Sequence, residues 1–141
     1  MKDAFKENPC SCIESSPDCK YLSIAIDRDV RLYRPGDFAL NQKKKYNDTF
    51  YFHTYIHAQQ VSVIKFGSDG KYLAAGTESG HLTVYNQESR QPLHMAPLKS
   101  HTGPIKCIVF EPLLRKYLIT GGRDAKIVIW DFKNGIRVNE L

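Results

Sequence analysis

The sequence has no apolar run approaching the roughly 18 residues that a membrane-spanning helix needs. Its first stretch, Met1 to Ser16, mixes lysines with acids and has no apolar core of the kind a secretory signal requires. No membrane insertion and no export are therefore expected. Cysteine is scarce, and three of the four (Cys10, Cys12, Cys19 and Cys107) crowd into one short segment. That is too few for a disulfide scaffold, so reduced thiols in the cytoplasm or nucleus are expected. Long amphipathic stretches of helical period are missing, which excludes a helical bundle. Also absent are a Gly-rich phosphate loop after a strand, a Gly-x-Ser-x-Gly elbow and a His-Glu-x-x-His pair. These absences leave no basis for expecting an enzyme or a cofactor.

What is present is a 141-residue chain, 42% hydrophobic, with 20 basic and 15 acidic residues and a net charge of +5. Such a chain holds a packed core. Much of the positive excess is the run Lys43-Lys44-Lys45, and the rest is scattered. Scattered charge is more a solubility property than a binding footprint.

The chain repeats itself. Val61 to Phe66 is matched by Ile105 to Phe110, Asp69 to Gly76 by Arg115 to Gly122, and His81 to Asn86 by Lys126 to Asp131. A third copy runs from Cys19 to Ala25 and from Asp29 to Arg34, so that Tyr33, Tyr85 and Trp130 fall at equivalent places. The period is about 40 to 50 residues, the length of one repeated supersecondary unit. Within each copy, short β-branched and aromatic runs alternate with turn residues such as Ser68-Asp69-Gly70, Ser79-Gly80 and Asn134-Gly135. The expected fold class is all-β: three four-stranded antiparallel sheets. Strands are predicted near 104–110, 117–121, 125–131 and 136–141 in the last copy, and near 61–66, 72–77, 81–86 and 92–98 in the middle one. In the first copy the final strand is expected from Phe50 to Ile56, after an enlarged loop at 34–49.

This pattern resembles the WD40-repeat β-propeller family, and the resemblance covers nearly the whole chain from about residue 9. The last copy carries it best, with His101, Phe110, Tyr117-Leu118, Thr120-Gly121, Asp124 and Trp130-Asp131 in family order. It implies a WD40-like partial propeller: an N-terminal extension at 1–8, a degenerate blade at 9–56, a second at 57–98 and a third at 99–141. It further implies a hydrogen-bonded structural tetrad of His101, Thr120, Asp124 and Trp130. The chemistry agrees: indole donates only, carboxylate accepts only, and His and Thr do both. The middle copy keeps His57 but has Ala75, Ser79 and Tyr85 at the Thr, Asp and Trp positions. The first keeps Asp27 and Tyr33 and has Ile24 for Thr, so both are expected to rest more on apolar packing. Propellers close with about four to eight blades. Three copies therefore call for more blades in a longer chain, pairing with a second copy, or blades from another chain.

Several constellations are set aside. Cys10-Ser-Cys12 is one residue tighter than the Cys-x-x-Cys of zinc sites, and on a strand the two thiols would share one face as small hydrophobes. His53 and His57 lie on strand and loop, where four-residue spacing does not converge two rings. No metal site is expected. The resemblance places partner-binding residues in the loops of one propeller face: Arg123, Glu78, Gln59, Gln60, Lys99, Ser100 and Thr102. Loops on a rigid scaffold are where function concentrates. The expected role is a non-catalytic protein–protein interaction scaffold in a larger assembly, with protein or peptide partners. One alternative is an RNA-associated propeller gripping nucleic acid through Lys43, Lys44, Lys45 and Tyr46. Another is a component of a ciliary or trafficking complex.

Overall fold

The computed structural model describes residues 8–34, Gly36 and 52–141. Three antiparallel sheets stand side by side in an open arc. The first holds β1 (Cys10–Ser15), β2 (Leu22–Ile26), β3 (Asp29–Tyr33) and β4 (His53–Ile56), in that order. The second holds β5 (Val61–Phe66), β6 (Tyr72–Thr77) and β7 (His81–Asn86), with β8 (Gln91–Pro92) and β9 (Leu98–Lys99) both paired to β7. The third holds β10 (Ile105–Phe110), β11 (Tyr117–Gly122), β12 (Ile127–Asp131) and β13 (Ile136–Glu140).

Strand alternation sorts the side chains into two cores. From the first sheet, Ala25, Val30 and Tyr55 lie in register on one face and meet Val61, Ile64, Leu73 and Tyr85 of the second. Neighbouring positions of the second sheet, Ala74, Leu82 and Val84, point the other way and meet Ile105, Leu118, Val128 and Trp130 of the third. The middle sheet thus buries both faces, which is why β6 is buried almost end to end. A bulge recurs near the start of β1, β5 and β10. It turns Ser11 toward the Val61 carbonyl (2.7 Å) and Ser62 toward the Ile105 carbonyl (2.6 Å), tying each sheet to the next.

Four strand expectations need correction. The final strand of the middle copy is not continuous over 92–98. It is the two short pieces β8 and β9, with Met95 between them fully exposed. In the first copy β4 begins at His53, and Phe50 and Tyr51 lie outside the described residues. In the last copy β12 begins at Ile127, because Ala125 takes a left-handed φ of 63° and closes the preceding turn. Cys10 and Cys12 do not share a face: the β1 bulge separates them, leaving Cys10 exposed and aiming the Cys12 Sγ at the Ile64 carbonyl. Among the described residues there is no helix long and apolar enough to cross a membrane.

Candidate functional site

The β9–β10 loop and the β11–β12 turn meet at one end of the third sheet, and a chain of hydrogen bonds joins them. Trp130 Nε1 donates to Ser100 Oγ (3.0 Å), and Ser100 Oγ lies 2.7 Å from Thr120 Oγ1. Thr120 Oγ1 lies 2.8 Å from His101 Nε2, and His101 Nδ1 lies 2.8 Å from Asp124 Oδ1. With a neutral imidazole every proton has a place: indole to serine, serine to threonine, threonine to Nε2, and Nδ1–H to the carboxylate. Asp124 also accepts the backbone amides of Thr102 (3.1 Å) and Lys126 (3.2 Å). Burial pushes the Asp124 carboxyl up, but His101 and the two amides outweigh it and hold it down to about 2.

The four expected tetrad residues are therefore brought together, but not as a closed tetrad. Ser100 stands between Trp130 and Thr120. It was expected among the partner-binding loop residues and is instead 1% exposed, its hydroxyl used on both sides. Arg137 was not singled out from the sequence. It donates to the Ser100 carbonyl (2.8 Å), pairs with Glu140 (2.7 Å), and lies 5.7 Å over the Trp130 ring. Its signal is its register opposite Trp130 on β13, which no local motif announces.

The middle sheet solves the same problem with aromatics. His57 Nε2 accepts from the Tyr85 hydroxyl (3.0 Å), and His57 Nδ1 faces the Arg28 carbonyl (3.1 Å). Burial holds the His57 ring below the ordinary histidine value. Tyr85 stacks on Tyr55 at 3.9 Å, and the Tyr55 hydroxyl donates to Gln87. Ser79, at the Asp position, does not reach His57. It lies 2.9 Å from His81 Nδ1.

The remaining loop residues gather around this end. Glu78 N–H donates to the Gln60 carbonyl (2.8 Å), Arg123 N–H to that of Pro104 (2.9 Å), and Ser100 and His101 N–H to that of Gly80. The side chains of Arg123, Glu78, Gln59, Lys99 and Thr102 are exposed there, and Gln60 is half-buried. Lys43, Lys44, Lys45 and Tyr46 lie outside the described residues. Among the described residues no three metal-ligating side chains converge.

Repeated four-stranded sheets, packed face to face and pinned at one end by a buried polar chain, define β-propeller blades. A family model for the anaphase-promoting complex subunit 4 WD40 domain matches residues 40–113. The chain belongs to the WD40-repeat β-propeller family. It is 33% identical over 87 residues to the B-type cell cycle switch protein ccs52B of Medicago truncatula, covering 60% of this chain and 18% of that protein. It is 28% identical over 134 residues to the WD repeat-containing protein 53 homolog of Dictyostelium discoideum, covering 92% of this chain and 33% of that one. The crystal structure of RRP9 WD40 repeats superposes with a TM-score of 0.77 at 18% identity, over 96% of this chain and 39% of that chain. The chain thus spans a third or less of these two relatives.

Proposed function

We propose that this chain is a protein-interaction scaffold whose partners bind the loop face carrying Arg123, Glu78, Gln59, Gln60, Lys99 and Thr102. One observation carries the reading: these side chains come from separate segments, and backbone bonds fix several of them, Glu78 N–H to the Gln60 carbonyl, Arg123 N–H to the Pro104 carbonyl and Thr102 N–H to Asp124 of the buried His101 chain. A surface assembled in this way is ordered before a partner arrives, so little conformational entropy is lost on binding. Arginine at such a position supplies planar, charge-assisted hydrogen bonds, and it is enriched among residues that dominate interfaces. The family supports the protein-binding class.

The test is Arg123→Glu. The side chain is exposed and only its backbone N–H is used in the fold, so the unfolding midpoint is expected to stay within about 0.5 kcal/mol of the parent. Affinity purification followed by mass spectrometry is expected to lose partners that the parent retains. Retention of the same partners by the variant, at the same stability, places the binding face elsewhere.

A further inference from the structure

At the opposite end of the sheets from Arg123 a cavity of about 160 Å³ lies between the second and third sheets. Its apolar floor is Tyr72, Phe110 and Phe132, with both Phe110 and Tyr72 set edge-on to the Phe132 ring at 5.2 Å. Small-molecule sites occupy about 300–1,000 Å³, so this one has room for a single large side chain and not for a cofactor.

The charges around it are lopsided. Lys71, Arg115 and Lys133 line the cavity and are exposed. The two carboxylates in the wall are turned onto backbone amides. Asp69 accepts from Lys71 N–H (3.0 Å) and its other oxygen lies 3.9 Å from the Arg115 guanidinium, while Glu111 accepts from Leu113 and Leu114 N–H (2.6 and 2.8 Å). Three cations against two carboxylates leave the rim one positive charge in excess, with Lys71 and Lys133 the two cations that pair with neither carboxylate of the wall.

The Glu111 clasp has a second effect. It fixes the β10–β11 loop with Leu113 86% and Leu114 67% exposed. The corresponding β5–β6 loop, Gly67 to Lys71, closes the same hairpin with no large apolar residue. The two leucines are therefore not needed to make the turn. Apolar side chains held outward beside an aromatic-floored cavity mark an interaction surface.

We propose that this cavity and the adjoining Leu113-Leu114 loop dock an acidic peptide segment that presents one large apolar side chain. The apolar group enters the cavity, and carboxylates flanking it take Lys71, Arg115 and Lys133. A nucleic acid fits less well. Stacking needs an open ring face, whereas Lys133 stands 5.6 Å over Tyr72 and Phe132 is 2% exposed. The site is distinct from the loop face above, and its test does not depend on the outcome at Arg123.

The experiment is fluorescence anisotropy on the intact chain with a labelled Glu-Glu-Phe-Glu-Glu peptide. Glu-Glu-Ala-Glu-Glu, Lys-Lys-Phe-Lys-Lys and a thymidine 12-mer serve as comparison probes. The Phe-bearing acidic peptide is expected to bind in a salt-sensitive way, and its alanine counterpart about tenfold more weakly. Lys133→Glu and Arg115→Glu, both surface changes, are each expected to weaken it by about tenfold with melting unchanged. Leu113→Ser gives a readout free of charge effects and is expected to weaken the Phe peptide and leave the Ala peptide unaltered. Absence of binding, or binding indifferent to Phe and to Lys133, overturns the proposal. So does preferential binding of the thymidine strand, or a dimer in sedimentation that Leu113→Ser dissolves, which would assign the surface to nucleic acid or to a second copy.

Discussion

Trp130 donates its indole N–H to Ser100 at 3.0 Å, and no other hydrogen bond links that indole to the His101–Asp124 pair. Ser100 is thus the joint between the end of the third sheet and the loop that crosses it. Ser100→Ala strands a buried indole donor and removes a partner of Thr120, a loss of about 1–3 kcal/mol. Thr120→Val interrupts the same chain one step further on. Because both act on one network, the double variant is expected to cost less than the sum of the singles by about 0.5–3 kcal/mol. Urea denaturation of the four proteins measures this. Additive losses would mean that the hydroxyls act separately.

Asp124 sets the acid limb of stability. Its carboxyl is held at about 2, below the ordinary 3.8. Between these values the unfolded chain binds the proton and the folded chain does not, so stability rises with pH there. The contribution is fully present above 3.8 and is lost as pH falls toward 2. Asp124→Asn is expected to lower stability at neutral pH and to flatten the denaturation midpoint between those limits. Asp18, Asp131 and Glu140 are lowered as well, by hydrogen bonds from Ser16, Asn134 and Lys126 respectively, so a residual slope remains. An unchanged slope in the variant would remove Asp124 from this account.

In the middle sheet the titrating group is His57. Desolvation lowers its pKa from 6.5, with the Arg28 carbonyl and Asp29 opposing. The folded chain therefore resists a proton that the unfolded chain takes up below about 6.5, and stability falls as pH drops through that value. Tyr85→Phe deletes the hydroxyl that His57 Nε2 accepts and leaves a buried ring nitrogen unpaired, at a cost of about 1–3 kcal/mol. An NMR titration of the His57 ring is expected to show the neutral form persisting below pH 6.5 in the parent. A ring that titrates at or above that value would contradict the burial argument.

Much of this fold was legible because β-structure writes its period into the residues. The turn pairs Asp69-Gly70 and Ser79-Gly80, and the alternation from Val61 to Phe66 and from Ile127 to Asp131, placed most strands within a few residues. His101, Thr120, Asp124 and Trp130 were legible through their order. Ser100 was not, because a serine before the histidine reads like any polar loop residue until the fold carries Trp130 over it. The His57–Tyr85 bond and the Tyr55–Gln87 bond join residues 28 and 32 positions apart, and no local pattern encodes them. The division of the middle copy's last strand follows from the chain leaving the sheet after Leu93, whose N–H still donates to the Val84 carbonyl (2.8 Å), where His94 Nε2 pairs with the Phe132 carbonyl (2.8 Å). That contact exists only once two sheets are docked.

The docking itself has a sensitive point at Gly80. Its φ of +86° suits glycine, and a Cβ there would collide with the His101 carbonyl oxygen. The obstacle is backbone, and that same backbone is bonded in place by His101 and Ser100 N–H to the Gly80 carbonyl at 3.0 and 2.9 Å. Neither side can yield without parting the β6–β7 turn from the loop that carries the buried hydrogen-bond chain. Gly80→Ala is therefore expected to exceed the about 1–3 kcal/mol of a strained φ alone and to loosen the third sheet from the second. Gly67→Ala is the control, since its added Cβ meets nothing nearer than 3.6 Å. Hydrogen exchange read at β10 and β11 separates the two: protection lost in Gly80→Ala and kept in Gly67→Ala. Equal protection in both would show that the crossing loop moves aside freely, and that the sheets are held together by their apolar faces alone.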